Sequence, residues 1–170
     1  YVKLPARVLW RTDTAKIRPE VACLQEPFGN AVHACTKVDL RGGTVAIFGC
    51  GTIGLFAVLI ARALGAARII GIEPNERNAA MAEQLGADKV IRFKPIGDSP
   101  RADEDVVREV RDFGPDGVDV AIEMSGYNSS VNNAIQSVRR GGHVVPFGIK
   151  SGDFVIQDYS QIVSKGLSLH

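Results

Sequence analysis

Three glycines at one spacing, Gly49, Gly51 and Gly54 in GCGTIG, are the residues here best suited to chemistry through backbone alone. The first lets a strand turn sharply into a helix, the second leaves peptide N–H groups bare, and the third lets the helix press onto the strand. Thr52, between the second and third glycines, is grouped with them as a cofactor-binding residue. Bare N–H groups at a helix start, with the positive end of the helix dipole behind them, hold negatively charged phosphates. Nineteen positions beyond Gly54, Glu73 closes the strand-like run 68–72. A carboxylate there accepts hydrogen bonds from ribose hydroxyls. A diphosphate cradle and a sugar acceptor at this separation predict a dinucleotide site. With 18 glycines in the chain, a glycine-rich turn in an unrelated α/β domain is the bland alternative.

Regular elements must position these groups. TVAIF (44–48) reads as a buried strand before the glycine turn, and LFAVLIARALG (55–65) as an apolar helix after it. Upstream, residues 1–20 read as an extended arm with one short strand over 6–10. Its apolar Leu4, Val8, Leu9 and Trp10 need cover, from this domain's flank or from an interface. Asn30 is placed to cap a helix over 30–37. His33 on it reads as an ordinary surface or core histidine, and Glu26 as a solvated loop carboxylate. Downstream, Asn75 caps a helix ending at Leu85, and strands follow over 89–93, 118–123 and 143–149. Helices are expected over 105–112, 128–139 and 158–165, with a further strand beginning near the last residues. Residues 94–103 read as an exposed, mobile loop remote from any site. Alternating strands and helices imply an α/β fold with a doubly wound parallel sheet, of the Rossmann dinucleotide-binding type. A ligand then sits beyond the carboxyl ends of the strands, where strand order reverses. The ends converging there carry the glycine turn, Glu73, residues 124–126 with Ser125, and residues 147–149.

Bulk properties exclude several classes. Twenty basic residues balance 19 acidic ones, which gives no electrostatic reason to invoke nucleic acid or an anionic membrane. The longest apolar run, 53–60, is too short for a bilayer. Cys23, Cys35 and Cys50 share no metal-type spacing, and their odd number argues against a disulfide framework. A cytoplasmic protein is expected. Both ends of the chain read as cut.

With those residues placed, a family resemblance is specific. LQEPFGNAVHA, VAIFGCGTIGL, VDVAIEMSG and GGHVVPFGI resemble, in order and spacing, the cofactor-binding half of zinc-dependent medium-chain dehydrogenases. The resemblance covers the chain beyond its first dozen residues. It implies NAD contacts at Ile53, Glu73 and the run Phe147, Gly148 and Ile149, whose backbone would meet the nicotinamide carboxamide. It also places Glu26 on the family's acidic position beside the catalytic zinc, in proton relay. An arginine common in the family falls on Asn78, with Arg77 one place early, so either residue is the adenosine contact. No metal ligands fall within the chain: the zinc ligands would precede residue 1. Residues 1–25 would be the arm and edge of that catalytic domain, and 26–170 the NAD-binding domain with its connecting helix. The implied activity is hydride transfer from a secondary alcohol to NAD, with L-threonine the suggested substrate. Polyol or alcohol oxidation and non-catalytic dinucleotide sensing are alternatives. The fragment alone is expected to bind cofactor without turnover. The intact protein is expected to be a dimer or tetramer.

Overall fold

Val45, Ala46, Ile47 and Phe48 are buried on both faces of the central strand, which is why TVAIF forms an interior strand with no polar side. Each fully buried Val or Ile contributes about 1.5–3 kcal/mol. The structure, a computed structural model, describes residues 2–95, 99–150 and 152–170. Its elements are α1 (Pro19–Ala22), α2 (Gln25–Cys35), β1 (Thr44–Phe48), α3 (Thr52–Ala63), β2 (Arg68–Ile72), α4 (Glu76–Gln84) and β3 (Lys89–Ile91). There follow α5 (Glu104–Arg111), β4 (Val118–Glu123), α6 (Asn128–Ser137), β5 (Val138–Pro146), α7 (Tyr159–Lys165) and β6 (Ser168–Leu169). All pairings are parallel and the order is β3-β2-β1-β4-β5-β6. Strand order therefore reverses between β1 and β4, which are hydrogen-bonded neighbours, Phe48 opposite Glu123.

Two cores flank the sheet. Ala31, Ala57, Val58, Ala79 and Ala82 pack from α2, α3 and α4 onto Val45, Ile47, Ile69, Val120 and Ile122. On the opposite face, Val106, Val110, Val131 and Ile135 pack from α5 and α6 onto Ala46, Phe48, Ile70 and Ala121. The sheet is thus doubly wound, as the alternation of elements requires.

Several expectations are corrected. Residues 6–10 form no strand: Ala6–Val8 is a short 3-10 helix with nothing buried, since no neighbouring strand offers its backbone a partner. α2 starts at Gln25, five residues ahead of the expected cap. Pro27 fits there because first-turn N–H groups lack intrahelical partners anyway. Asn30 therefore lies mid-helix, where its Nδ2 donates to Glu26 Oε1 at 2.6 Å, and Glu26 is a first-turn carboxylate, not a loop one. β5 pairs already at Val138, opposite Val118, then bulges and resumes at His143, opposite Val120. α6 accordingly stops at Ser137, two residues early. In the expected loop 94–103, residues 96–98 lie outside the described residues. Its end is anchored: Ala102 is buried, Ala102 N donates to Gln157 Oε1 at 3.1 Å, and Asp103 N to Asn133 Oδ1 at 2.7 Å.

Candidate functional site

At the reversal of strand order lies a cleft of about 430 Å³. Gly49 and Gly51 from the turn after β1, Glu73 and Pro74 after β2, and Met124, Ser125 and Tyr127 after β4 line it, with Phe48 and Ile72 at its floor. Phe93, Pro95, Ser129, Ser130 and Asn133 complete the wall. Pro95 corrects the expectation that the loop after β3 is remote from any site. Placement follows from strand ends, because each parallel strand delivers its carboxyl end to the same edge.

The glycine turn has the geometry its residues allow. Gly49 has φ 90°, a backbone conformation that side chains resist. A Cβ on Gly54 would overlap the Gly49 carbonyl, so α3 presses directly on the turn. Around Gly51 a Cβ would meet nothing within 4 Å, leaving open space at the start of α3. No side chain caps that start. α4 and α5, in contrast, are capped by Asn75 Oδ1, accepting from Asn78 N at 3.1 Å, and by Asp103 Oδ1, accepting from Asp105 N at 3.0 Å. An open, uncapped helix start fits an anionic diphosphate.

Glu73 is only 6% exposed. Its Oε2 accepts from Cys50 N at 2.7 Å and its Oε1 from Asn75 N at 2.8 Å. A carboxylate offers about four lone-pair sites, so two remain for ligand hydroxyls. Cys50, fully buried beside it, packs as a small apolar group. Burial first, and the Glu73 charge second, push its thiol up to about 12.

Other expected residues lie outside this cleft. Thr52 and Arg77 are exposed and Ile53 is half-buried, Thr52 and Ile53 in the first turn of α3 and Arg77 in that of α4. Asn78 meets its own helix cap. Phe147 packs towards the α2–α3 side, its ring 6.2 Å from His33, while Ile149 is almost fully exposed. Glu26, Asn30 and His33 share one stripe of α2, which brings Glu26 to the face that meets Phe147 and not to the cleft. Glu123, fully buried at the end of β4, was missed. Among the described residues no group of three or more His, Cys, Asp or Glu side chains could hold a metal ion. Among the same residues no helix is long and apolar enough to cross a membrane.

The sheet order and the open glycine turn at its reversal define a dinucleotide-fold domain. The chain belongs to the zinc-binding dehydrogenase family, whose profile matches residues 52–170. It is 37% identical to L-threonine 3-dehydrogenase of Bacillus velezensis, over 99% of this chain and 47% of that protein. Among solved structures it resembles 2R,3R-butanediol dehydrogenase from Bacillus subtilis, at 31% identity and a TM-score of 0.78, covering 91% of this chain and 42% of that one. A zinc-binding dehydrogenase from Sinorhizobium meliloti, bound to NADP, aligns at 29% identity and a TM-score of 0.71, covering 84% and 41%. The chain spans about half the length of the curated relatives it matches.

Proposed function

We propose that this chain is the NAD-binding part of a zinc-dependent oxidoreductase that moves hydride from a secondary alcohol, L-threonine, to NAD. The carrying observation is the uncapped start of α3 with open space at Gly51, beside a carboxylate that keeps spare acceptor sites in the same cleft. A 37% identity to a threonine dehydrogenase over 99% of this chain supports the substrate. In this reading the amides of Gly51, Thr52 and Ile53 hold the diphosphate, with Gly49 and Gly54 shaping the turn. Glu73 holds the adenosine ribose, with Arg77 or Asn78 and Ser125 nearby. Phe147, Gly148 and Ile149 present backbone groups to the nicotinamide. When bound, the nicotinamide supplies the hydride acceptor, and the chain's own residues orient it and shield it from water. Glu26, on the α2 stripe that ends against Phe147, relays a proton. Residues 1–25 are an arm belonging to a catalytic domain that carries the zinc ligands, and 26–170 form the cofactor domain. The intact protein is a cytoplasmic dimer or tetramer.

A polyol or simple alcohol dehydrogenase is the second reading, favoured by the likeness to the butanediol enzyme. Calorimetric titration of the chain with NAD and NADP side by side tests the cofactor assignment. Tighter NAD binding is the expected result, because Glu73 repels a 2′-phosphate. Tighter NADP binding, or binding of neither, overturns it.

A further inference from the structure

Glu123, the last residue of β4, is fully buried in a strand whose other buried members are all apolar. None of the ion pairs among the described residues includes it. A carboxylate taken from water without a cation needs hydrogen-bond donors in place of solvent. Among the described residues its donors all come from one turn. Oε1 accepts from Ser125 N at 2.8 Å, from Gly126 N at 3.0 Å and from the Ser125 hydroxyl, while Gly126 N also reaches Oε2 at 3.2 Å. The main-chain carbonyl of the same residue accepts from Phe147 N and Gly148 N, each at 2.8 Å. Gly148 lies directly over the side chain: a Cβ there would stand 2.7 Å from Oε2 and overlap Gly126 N. One residue thus closes the turn after β4 with its side chain and anchors the segment after β5 with its backbone.

We infer that Glu123 is a positioning residue that locks these two loops into a single body, so that the cleft wall at Ser125 and the run 147–149 keep or lose order together. The inference rests on the dinucleotide reading for the ligand but not for the coupling. If the turn opens, the acid loses every one of these donors, and the seat beneath Gly148 goes with it. Glu123→Gln keeps the shape but sets an amide nitrogen against Gly126 N, donor facing donor.

Hydrogen exchange followed by mass spectrometry on the 170-residue chain reads the coupling. In Glu123→Gln, protection of 124–127 and of 147–150 falls together, at least tenfold, while β1 is unchanged. NAD affinity falls at least tenfold in the same variant, and Glu123→Asp, which keeps the charge, recovers part of both. Loss in one loop only, a uniform loss across the sheet, or no loss overturns the inference. So does NAD affinity within twofold of the parent chain. Should Glu123→Gln fail to fold, Gly148→Ala strikes the same contact from the β5 side and must loosen 124–127. If the parent chain binds no dinucleotide yet the two loops exchange together, the coupling stands and the cofactor reading fails.

Discussion

Glu73 is held by two backbone N–H groups before any ligand arrives, which fixes its carboxylate against the glycine turn. A hydrogen bond to a charged group contributes about 1.5–3 kcal/mol. Glu73→Ala is therefore expected to weaken NAD about tenfold or more. NADP, relieved of charge repulsion, weakens less, so the ratio of the two affinities narrows in parallel titrations. An unchanged ratio contradicts the sugar-acceptor role. Glu73 was legible in the sequence because its position follows from a fixed spacing to the glycines. Glu123 was not, because an acid at a strand end suits a solvated turn equally well. Only the convergence of Ser125, Gly126 and Gly148 around it reveals the difference.

Caps and apolar periodicity decided how well the elements could be read. Asn75 was legible because it precedes a run of good helix formers, and it does accept from Asn78 N. α2 was misread because its start has no capping side chain, and Asn30 offered a plausible substitute inside it. The early start of β5 was hidden because a strand that begins directly after a helix, then bulges, leaves no alternation to detect. α5 gives a quantitative test. Asp103 Oδ1 accepts from Asp105 N and Val106 N, and helix caps of this kind contribute about 1 kcal/mol. Asp103→Ala should lower stability by about that amount in urea unfolding with the m-value unchanged. Asp103→Asn should retain most of it.

Over the whole molecule, burial creates opposing pH dependences. Lys165 Nζ donates to the carbonyls of Ile135, Gln136 and Val138 at 3.1, 2.8 and 3.1 Å, closing the end of α6. Burial first, then the charges of Arg111 and Arg140, bring its ammonium down to about 8, against an opposing pull from Asp158. Between pH 8 and 10.5 the unfolded chain therefore binds more protons at this group, and stability rises with pH. Burial pushes the Cys35 and Cys50 thiols up from 9.0 to about 12, so from pH 9 upward they act in the other direction. Lys165→Met should abolish the rise and leave only the fall, read as melting temperature against pH. A rise that persists in the variant assigns it elsewhere.

The pairing of β1 with β4 also sets an order of events during synthesis. Phe48 neighbours Glu123, 75 positions later, whereas β2 and β3 are complete by Ile91. At roughly 5–20 residues per second the ribosome takes about 4–15 s to deliver that partner. Throughout that interval one side of the central strand has no hydrogen-bonding neighbour from its own sheet. A nascent chain carrying only the first three strands is thus open along its most apolar edge, and exposure to chaperones or to other nascent chains is greatest there.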